Sequence, residues 1–430
     1  MNDWVRDLQW NGIVYGVVAA SALLALLGMW LFVPALSRRW FPLPRLRPGR
    51  WSGFEVFFAG CVFLGFGGMI VDLLNQMGFF GPLIGPEPKA SRLERAVYSL
   101  RCSYISSPLT FTVILGLLFA MMFARTRSRP HHYGLSWSRW QVNLALGIAA
   151  FVLAWPVIIG IHALMVLTFP KQEDPLQLLG KQNLPRWEWL LFAFHTTVAS
   201  PVLEEILFRG ILQGWLRRAS LVGHVAILLV MIVVVSQNLV LYDAEAETFS
   251  YNWDQTVPML LTLLAAAGYG YVLFRLARDF GLNEAELRRW HPLPSELPPH
   301  LGGQSDEHVS EMRKQILLGD VQRSQHWAEA NANLAIFGSA LLFAVAHPWP
   351  NAIALFAMGL VLGWLSRRTQ SLIGPITFHA LFNLTTFIVF YGSVLTAPEQ
   401  NGNAQTTAIR PSVVGSTASS VPGSQLPLRK

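Results

Sequence analysis

Glu204, Glu205 and Arg209 put three formal charges within six residues of an otherwise apolar run that opens at Pro201 and closes at Gly210. An ionisable group at bilayer depth costs on the order of 2.5–3.5 kcal/mol even on the lenient insertion scale, so a helix that keeps three needs a reason. Glu205 and Arg209 are four apart and face the same side, which predicts an ion pair. Glu204 lies about 100° around the helix from Glu205 and has no such partner, which makes it a candidate functional carboxylate. Two further pairs share the four-residue spacing, Phe343 with His347 and His379 with Asn383. Alone, His379 and Asn383 read as interhelical hydrogen-bonding residues, and His347, beside Pro348, reads as an interfacial one. Joined to Glu204 they read differently, because carboxylate and imidazole at membrane depth are the groups of proton transfer. Counted from the cytoplasmic helix ends, Glu204 and His347 lie roughly 20 Å in and His379 somewhat less, so one cavity accommodates all of them.

The elements that must position these residues are membrane helices. Of 430 residues, 53% are hydrophobic and 13% charged, about half the roughly 25% charge of a soluble domain. Too little charge remains to cover a soluble surface, and the apolar residues cluster in runs near the ~20 needed to cross a bilayer. The fold class is all-α, a polytopic helical bundle. The net charge of +7 reflects cytoplasmic loops, not a basic face on a soluble module, so no nucleic-acid partner is expected. Cys61 falls inside an apolar run and Cys102 in a loop, and neither shows metal-ligand spacing or predicts a disulfide.

Ten apolar segments are expected, at 11–36, 54–80, 106–124, 142–169, 187–215, 221–242, 257–277, 333–347, 352–366 and 372–394. The first has an acidic leader (Asp3, Asp7) and too long an apolar stretch for a cleaved signal peptide, so it reads as an anchor. With the N-terminus outside, twenty of the 32 basic residues fall on the inside, which favours both termini outside. The loop 81–105, with four basic residues, runs against that rule. Segments 333–347 and 352–366 are about 15 residues each, roughly 22 Å of helix, and the linker His347-Pro348-Trp349-Pro350-Asn351 stops helix continuation. Either both are short spans, or the hairpin turns at membrane depth, where bare backbone must pack in protein or line a wet cavity. The chain divides into N-terminal membrane helices at 1–186, core helices at 187–216 and 333–394, an inserted membrane pair at 217–278, a polar cytoplasmic insert at 279–332 with a helix from Ser305, and a tail at 395–430 whose composition predicts disorder.

In order, Glu204-Glu205-x-x-x-Arg209, Phe343-x-x-x-His347 and His379-x-x-x-Asn383 resemble the three motifs of the CPBP family, which groups type II CAAX prenyl endopeptidases with bacteriocin-processing and self-immunity (Abi-like) proteins. Pro201, Phe208-Arg209-Gly210 and Gly363 before Arg367-Arg368 fit as well. The resemblance covers roughly 187–216 and 332–390. It departs from the family in the long separation of Glu204 from His347, which is filled by two more spans and the insert. Two added spans preserve sidedness but bear on substrate access. The resemblance implies an integral protein of the bacterial cytoplasmic membrane that hydrolyses a peptide bond of a membrane-associated substrate. In that reading Glu204 is the base that activates water, helped by His347, and a buried glutamate of raised pKa suits the role. His379 and Asn383 donate to the oxyanion, each such donor being worth ~3 kcal/mol. Glu205 and Arg209 fix the helix and shield Glu204, and Phe343 supports.

Two other classes compete. One is a non-proteolytic scaffold or immunity protein of the same family, which the complete set of motif residues argues against. The other is a proton-coupled secondary transporter, which should show internal repeats; none is credible here. No cofactor is expected. The alternative is Zn²⁺ on Glu204, His347 and His379, a His₂Glu ligand set, against which the histidines lack the His-x-x-x-His spacing of one helical face. His162, His195 and His224 read as satisfied packing residues, with His195 the exception to watch because it precedes Glu204 on the same span. Asp72, Asn75 and Gln76 read as near-interface.

Overall fold

The computed structural model describes residues 51–85, 92–168, 175–182, 184–218, 221–237, 240–243, 248–251, 256–279, 328–347 and 351–396. The expected segment 11–36, most of the insert, the linker 348–350 and all but the first two residues of the tail lie outside them. The principal helices are α1 (Gly53–Gln76), α2 (Gly81–Ile84), α3 (Arg92–Thr126), α4 (Trp140–Thr168), α5 (Pro175–Gly180), α6 (Arg186–Leu216), α7 (Leu221–Gln237), α8 (Thr256–Asp279), α9 (Ala328–Val345), α10 (Ala352–Thr369) and α11 (Ile373–Thr396). Among the described residues, eight of these are long and apolar enough to cross a membrane, and α7, at 17 residues, is shorter. The protein is a polytopic helical membrane bundle. Nine of the ten expected segments coincide with helices.

Three boundaries differ from expectation. The segment 221–242 stops being helical at Gln237; Val240–Asp243 forms a strand, β1, paired antiparallel with β2, Thr248–Tyr251. This small hairpin lies between α7 and α8, and the other regular elements among the described residues are helices. Helix α3 starts at Arg92, so much of the expected loop 81–105 is helix, and Cys102 is buried inside it. Arg101 is not a loop charge either. It forms a two-pronged ion pair with fully buried Glu188 of α6, at 2.7 and 3.0 Å, while Tyr104 donates to the same carboxylate at 2.5 Å. Its charge is neutralised inside the bundle, which removes part of the conflict with the inside bias. Finally, α9 and α10 each span 18 residues, or roughly 27 Å, so they are not the 15-residue pieces their apolar runs predict.

The bundle centre is set by α6 and α9, which bury 44% and 61% of their apolar windows against protein, compared with 11–22% for α1, α3, α4, α8 and α11. The outer helices turn Phe57, Leu64, Leu229 and Phe274 outward, as lipid requires. Small residues allow the inner helices to approach closely. A Cβ on Gly147 of α4 would fall 2.5 Å from the Gly374 carbonyl of α11, and one on Gly359 of α10 would fall 3.0 Å from Ala340 of α9. Pro108 lies inside α3, where Thr110 and Thr112 hydroxyls bond carbonyls one turn back at 2.7 and 2.8 Å.

The pair α7–α8 is locked to the centre by a buried polar knot. His224 of α7 is fully buried, with Nδ1 2.6 Å from Tyr269 Oη of α8 and Nε2 2.8 Å from Asn331 Oδ1 of α9. Asn331 in turn donates to the carbonyls of Leu216 and Arg217 at 3.3 and 2.8 Å. Four helix segments meet there, and His224 is the satisfied packing residue its apolar setting predicts.

Candidate active site

The site is built on a break in α6. Residues His195–Ala199 and Ile206–Leu212 are π-helical, and the α-helical Ser200–Glu205 between them carries both glutamates. Pro201 offers the physical cause of the first widening: it has no N–H to donate, and its ring crowds the carbonyl four residues back. The N–H of Ser200 accordingly reaches five residues back, to His195. Such one-turn π segments recur where helices carry function.

Glu205 and Arg209 pair as predicted, at 3.1 Å, with both side chains fully buried. The Arg209 guanidinium lies 4.3 Å from the Phe343 ring centroid, and Phe343 also packs against the rings of His347 and His379, at 4.7 and 5.8 Å. Phe343 is thus a common wall for three polar groups, which the spacing of one helix face indicated only for His347.

Glu204, His347 and His379 converge. Glu204 Oε2 lies 3.9 Å from His347 Nε2 and 3.8 Å from His379 Nε2. The other nitrogen of each ring is already committed. His347 Nδ1 is 2.7 Å from the Phe343 carbonyl, which only accepts, so that nitrogen carries a proton. His379 Nδ1 is 2.9 Å from Glu205 Oε1, and a carboxylate paired with arginine likewise accepts. When neutral, both rings therefore present the Nε2 lone pair to Glu204. Glu204 Oε2 is buried and has no hydrogen-bond partner among the described residues. A gap of 3.8–3.9 Å is too long for a direct hydrogen bond and is the separation at which a bridging water is considered.

One expectation fails here. Glu204 has a partner of its own: the Ser200 hydroxyl donates to Oε1 from one turn back. The spacing Ser200-x-x-x-Glu204 carries that signal, from a neutral hydroxyl and not from an opposite charge. Asn383 sits one turn beyond His379, and its amide donates 2.8 Å to the Thr196 carbonyl in the first π segment. That contact ties α11 to α6, and no contact joins Asn383 to Glu204 among the described residues. His195 bonds Ser107 of α3 at 3.0 Å, and the Glu204 charge acts on its ring. Asn75 lies at the end of α1 and accepts from Tyr98 at 3.1 Å.

For a metal, the tautomers are suitable, since ligating histidines usually donate their second N–H to a carbonyl or carboxylate. The spacing is less so. Among the described residues no three His, Cys, Asp or Glu side chains are gathered closely enough to hold one ion, and Ser200 already occupies one oxygen of Glu204.

Fold and site together define a multi-pass membrane protein with a buried glutamate–histidine centre. Residues 186–278 and 314–385 match the family model described as type II CAAX prenyl endopeptidase Rce1-like, which is consistent with the CPBP family and supports intramembrane protease activity in general. The match runs through the α7–α8 pair and breaks only across 279–313, within the polar insert. No curated protein and no solved structure matches.

Proposed function

We propose that this protein is an intramembrane endopeptidase that hydrolyses a peptide bond of a membrane-associated substrate, with Glu204 as the base that activates water. The observation that carries this reading is the buried, unpartnered Glu204 Oε2 facing two imidazole nitrogens at 3.8 and 3.9 Å. A water held among those three atoms would lose a proton to Glu204 as it attacks the carbonyl carbon, and His347 Nε2 would accept from the same water and orient it. The carbonyl oxygen gains charge in that step and needs donors. Asn383 retains one amide hydrogen beyond the one given to Thr196. His379 would donate from Nε2 only as imidazolium, and Glu205 and Glu204 are then its counter-charges. Collapse of the tetrahedral species expels the amine, which takes back the proton held by Glu204.

Ser200 is a positioning residue in this scheme. By donating to Oε1 it leaves Oε2 as the free, basic oxygen and fixes the carboxylate plane. Glu205 and Arg209 orient His379 and close the site from behind. The base works without a metal ion in this reading. We also propose that both termini face outward, in a bacterial cytoplasmic membrane, and that the prenyl-protein specificity in the family's name is one branch of a wider membrane-peptide class.

The test compares membrane peptidomes from cells carrying the wild-type chain and Glu204→Gln. Fragments present only with the wild type, and regenerated when purified wild-type protein is added to the variant's membranes, support the reading. Identical peptidomes, together with equal cleavage by the purified proteins, overturn it.

A further inference from the structure

Two helix ends meet beside α9 on the side where the inside bias places the cytoplasm. The apolar part of α6 ends at Leu216 and is followed directly by Arg217 and Arg218, while α10 ends with Arg367, Arg368 and Thr369. Helix α9 joins them: Asn331 donates to the Arg217 carbonyl at 2.8 Å, and two residues on, Asn333 accepts from the Arg367 guanidinium. The Arg367 guanidinium thus reaches α9, and the charges of Arg217, Arg218, Arg367 and Arg368 lie close enough to repel one another, Arg217 facing Arg218 and Arg367, and Arg367 facing Arg368.

Acidic compensation is slight among the described residues. Glu329 stands 3.9 Å from Arg367, with its own side chain 68% exposed, a geometry that contributes little. No carboxylate is paired with Arg217, Arg218 or Arg368 among those residues, and Arg368 Nε is buried without a hydrogen-bond partner. Burial, together with the charges of Arg367 and Arg218, pushes the Arg217 guanidinium down to about 10. The fold holds like charges together and leaves donors over, which is the electrostatic signature of an anion site.

The depth of the cluster selects the anion. Arg218 lies 4.6 Å over the Trp51 ring, and that indole donates 3.0 Å to the Ile211 carbonyl within α6. Arg217 and Arg218 directly follow the last apolar residue of α6, and Arg367 and Arg368 close α10, so the cluster stands where apolar spans end and headgroups begin. Basic pockets between membrane helices on the cytoplasmic side take lipid phosphates.

We propose that Arg217, Arg218, Arg367 and Arg368 form a binding site for the phosphate of an anionic phospholipid, which links the end of the Glu204 helix to α10. The site lies 13 residues beyond Glu204 on α6, roughly 20 Å by helix rise, so it is separate from the peptide-cleaving centre.

The experiment titrates full-length protein in mild detergent with phosphatidylglycerol, phosphatidylcholine or inorganic phosphate. It follows thermal unfolding and counts bound lipid by native mass spectrometry. Phosphatidylglycerol should raise the unfolding temperature and be retained, while phosphatidylcholine and equimolar inorganic phosphate should not. Arg217→Gln with Arg367→Gln should weaken phosphatidylglycerol binding about thirtyfold, and the corresponding lysine pair should keep most of it. Arg127→Gln with Arg139→Gln removes two charges from another loop on the same side and should change binding little. Equal effects of the two lipids overturn the proposal, and that comparison stands even where the glutamine pair fails to fold. Stabilisation by inorganic phosphate equal to that by lipid overturns the lipid assignment. Equal loss in the Arg127/Arg139 control overturns the site.

Discussion

His379 is held by Glu205, not by Glu204: its Nδ1 lies 2.9 Å from Glu205 Oε1, and its Nε2 faces Glu204 at 3.8 Å. The two adjacent glutamates therefore divide the work. Glu205 is spent on Arg209 and the His379 ring, while Glu204 keeps an oxygen free. Substitutions at the two positions should fail in different ways.

Glu204→Gln should abolish peptide cleavage while leaving the unfolding temperature within a few degrees of wild type. Glu205→Gln and Arg209→Ala each strand a buried charge and should lower stability by about 3–5 kcal/mol as well as lowering activity. Thermal unfolding in detergent, run beside a cleavage assay, separates the two patterns. Near wild-type cleavage by Glu204→Gln would sink the assignment of the base.

Ser200→Ala should reduce kcat about tenfold with KM nearly unchanged, since it removes one hydrogen bond to a carboxylate and no substrate contact. Ser200→Thr keeps the hydroxyl and should retain most of the rate. Should alanine and threonine lose rate equally, the serine matters for packing and not for positioning Glu204.

Asn331→Ala removes the partner of His224 and two carbonyl contacts at once. It should cost about 2–4 kcal/mol and raise hydrogen exchange in α7 and α8 ahead of α6. Cleavage per folded molecule should persist. Unchanged exchange in α7–α8 would show that the knot does not hold the pair to the core.

Untagged protein should carry well below one zinc per chain, and cleavage should survive chelation. Elemental analysis and a chelation–readdition series measure both. Stoichiometric zinc, lost together with activity and restored with it, would make Glu204, His347 and His379 ligands and overturn the metal-free reading.

Much of this was legible before any coordinates. Apolar runs of bilayer length located nine of the described helices, because a chain in lipid must satisfy its backbone within each helix and so writes its spans as composition. The Glu205–Arg209 pair followed from four-residue spacing, and the separateness of Glu204 from its place one residue away. Which atoms face one another could not be read from spacing, since residues on α6, α9 and α11 meet only through packing. Tertiary structure decided that Phe343 walls three polar groups and that Glu205 orients His379. It also turned Arg101 from a loop charge into the partner of Glu188, and joined α7–α8 to α9 through His224 and Asn331. A polar residue in an apolar run announces that it needs a partner, because an unpaired one is costly there. The identity of that partner is a property of helix crossing angles and close glycine contacts, which no local pattern encodes.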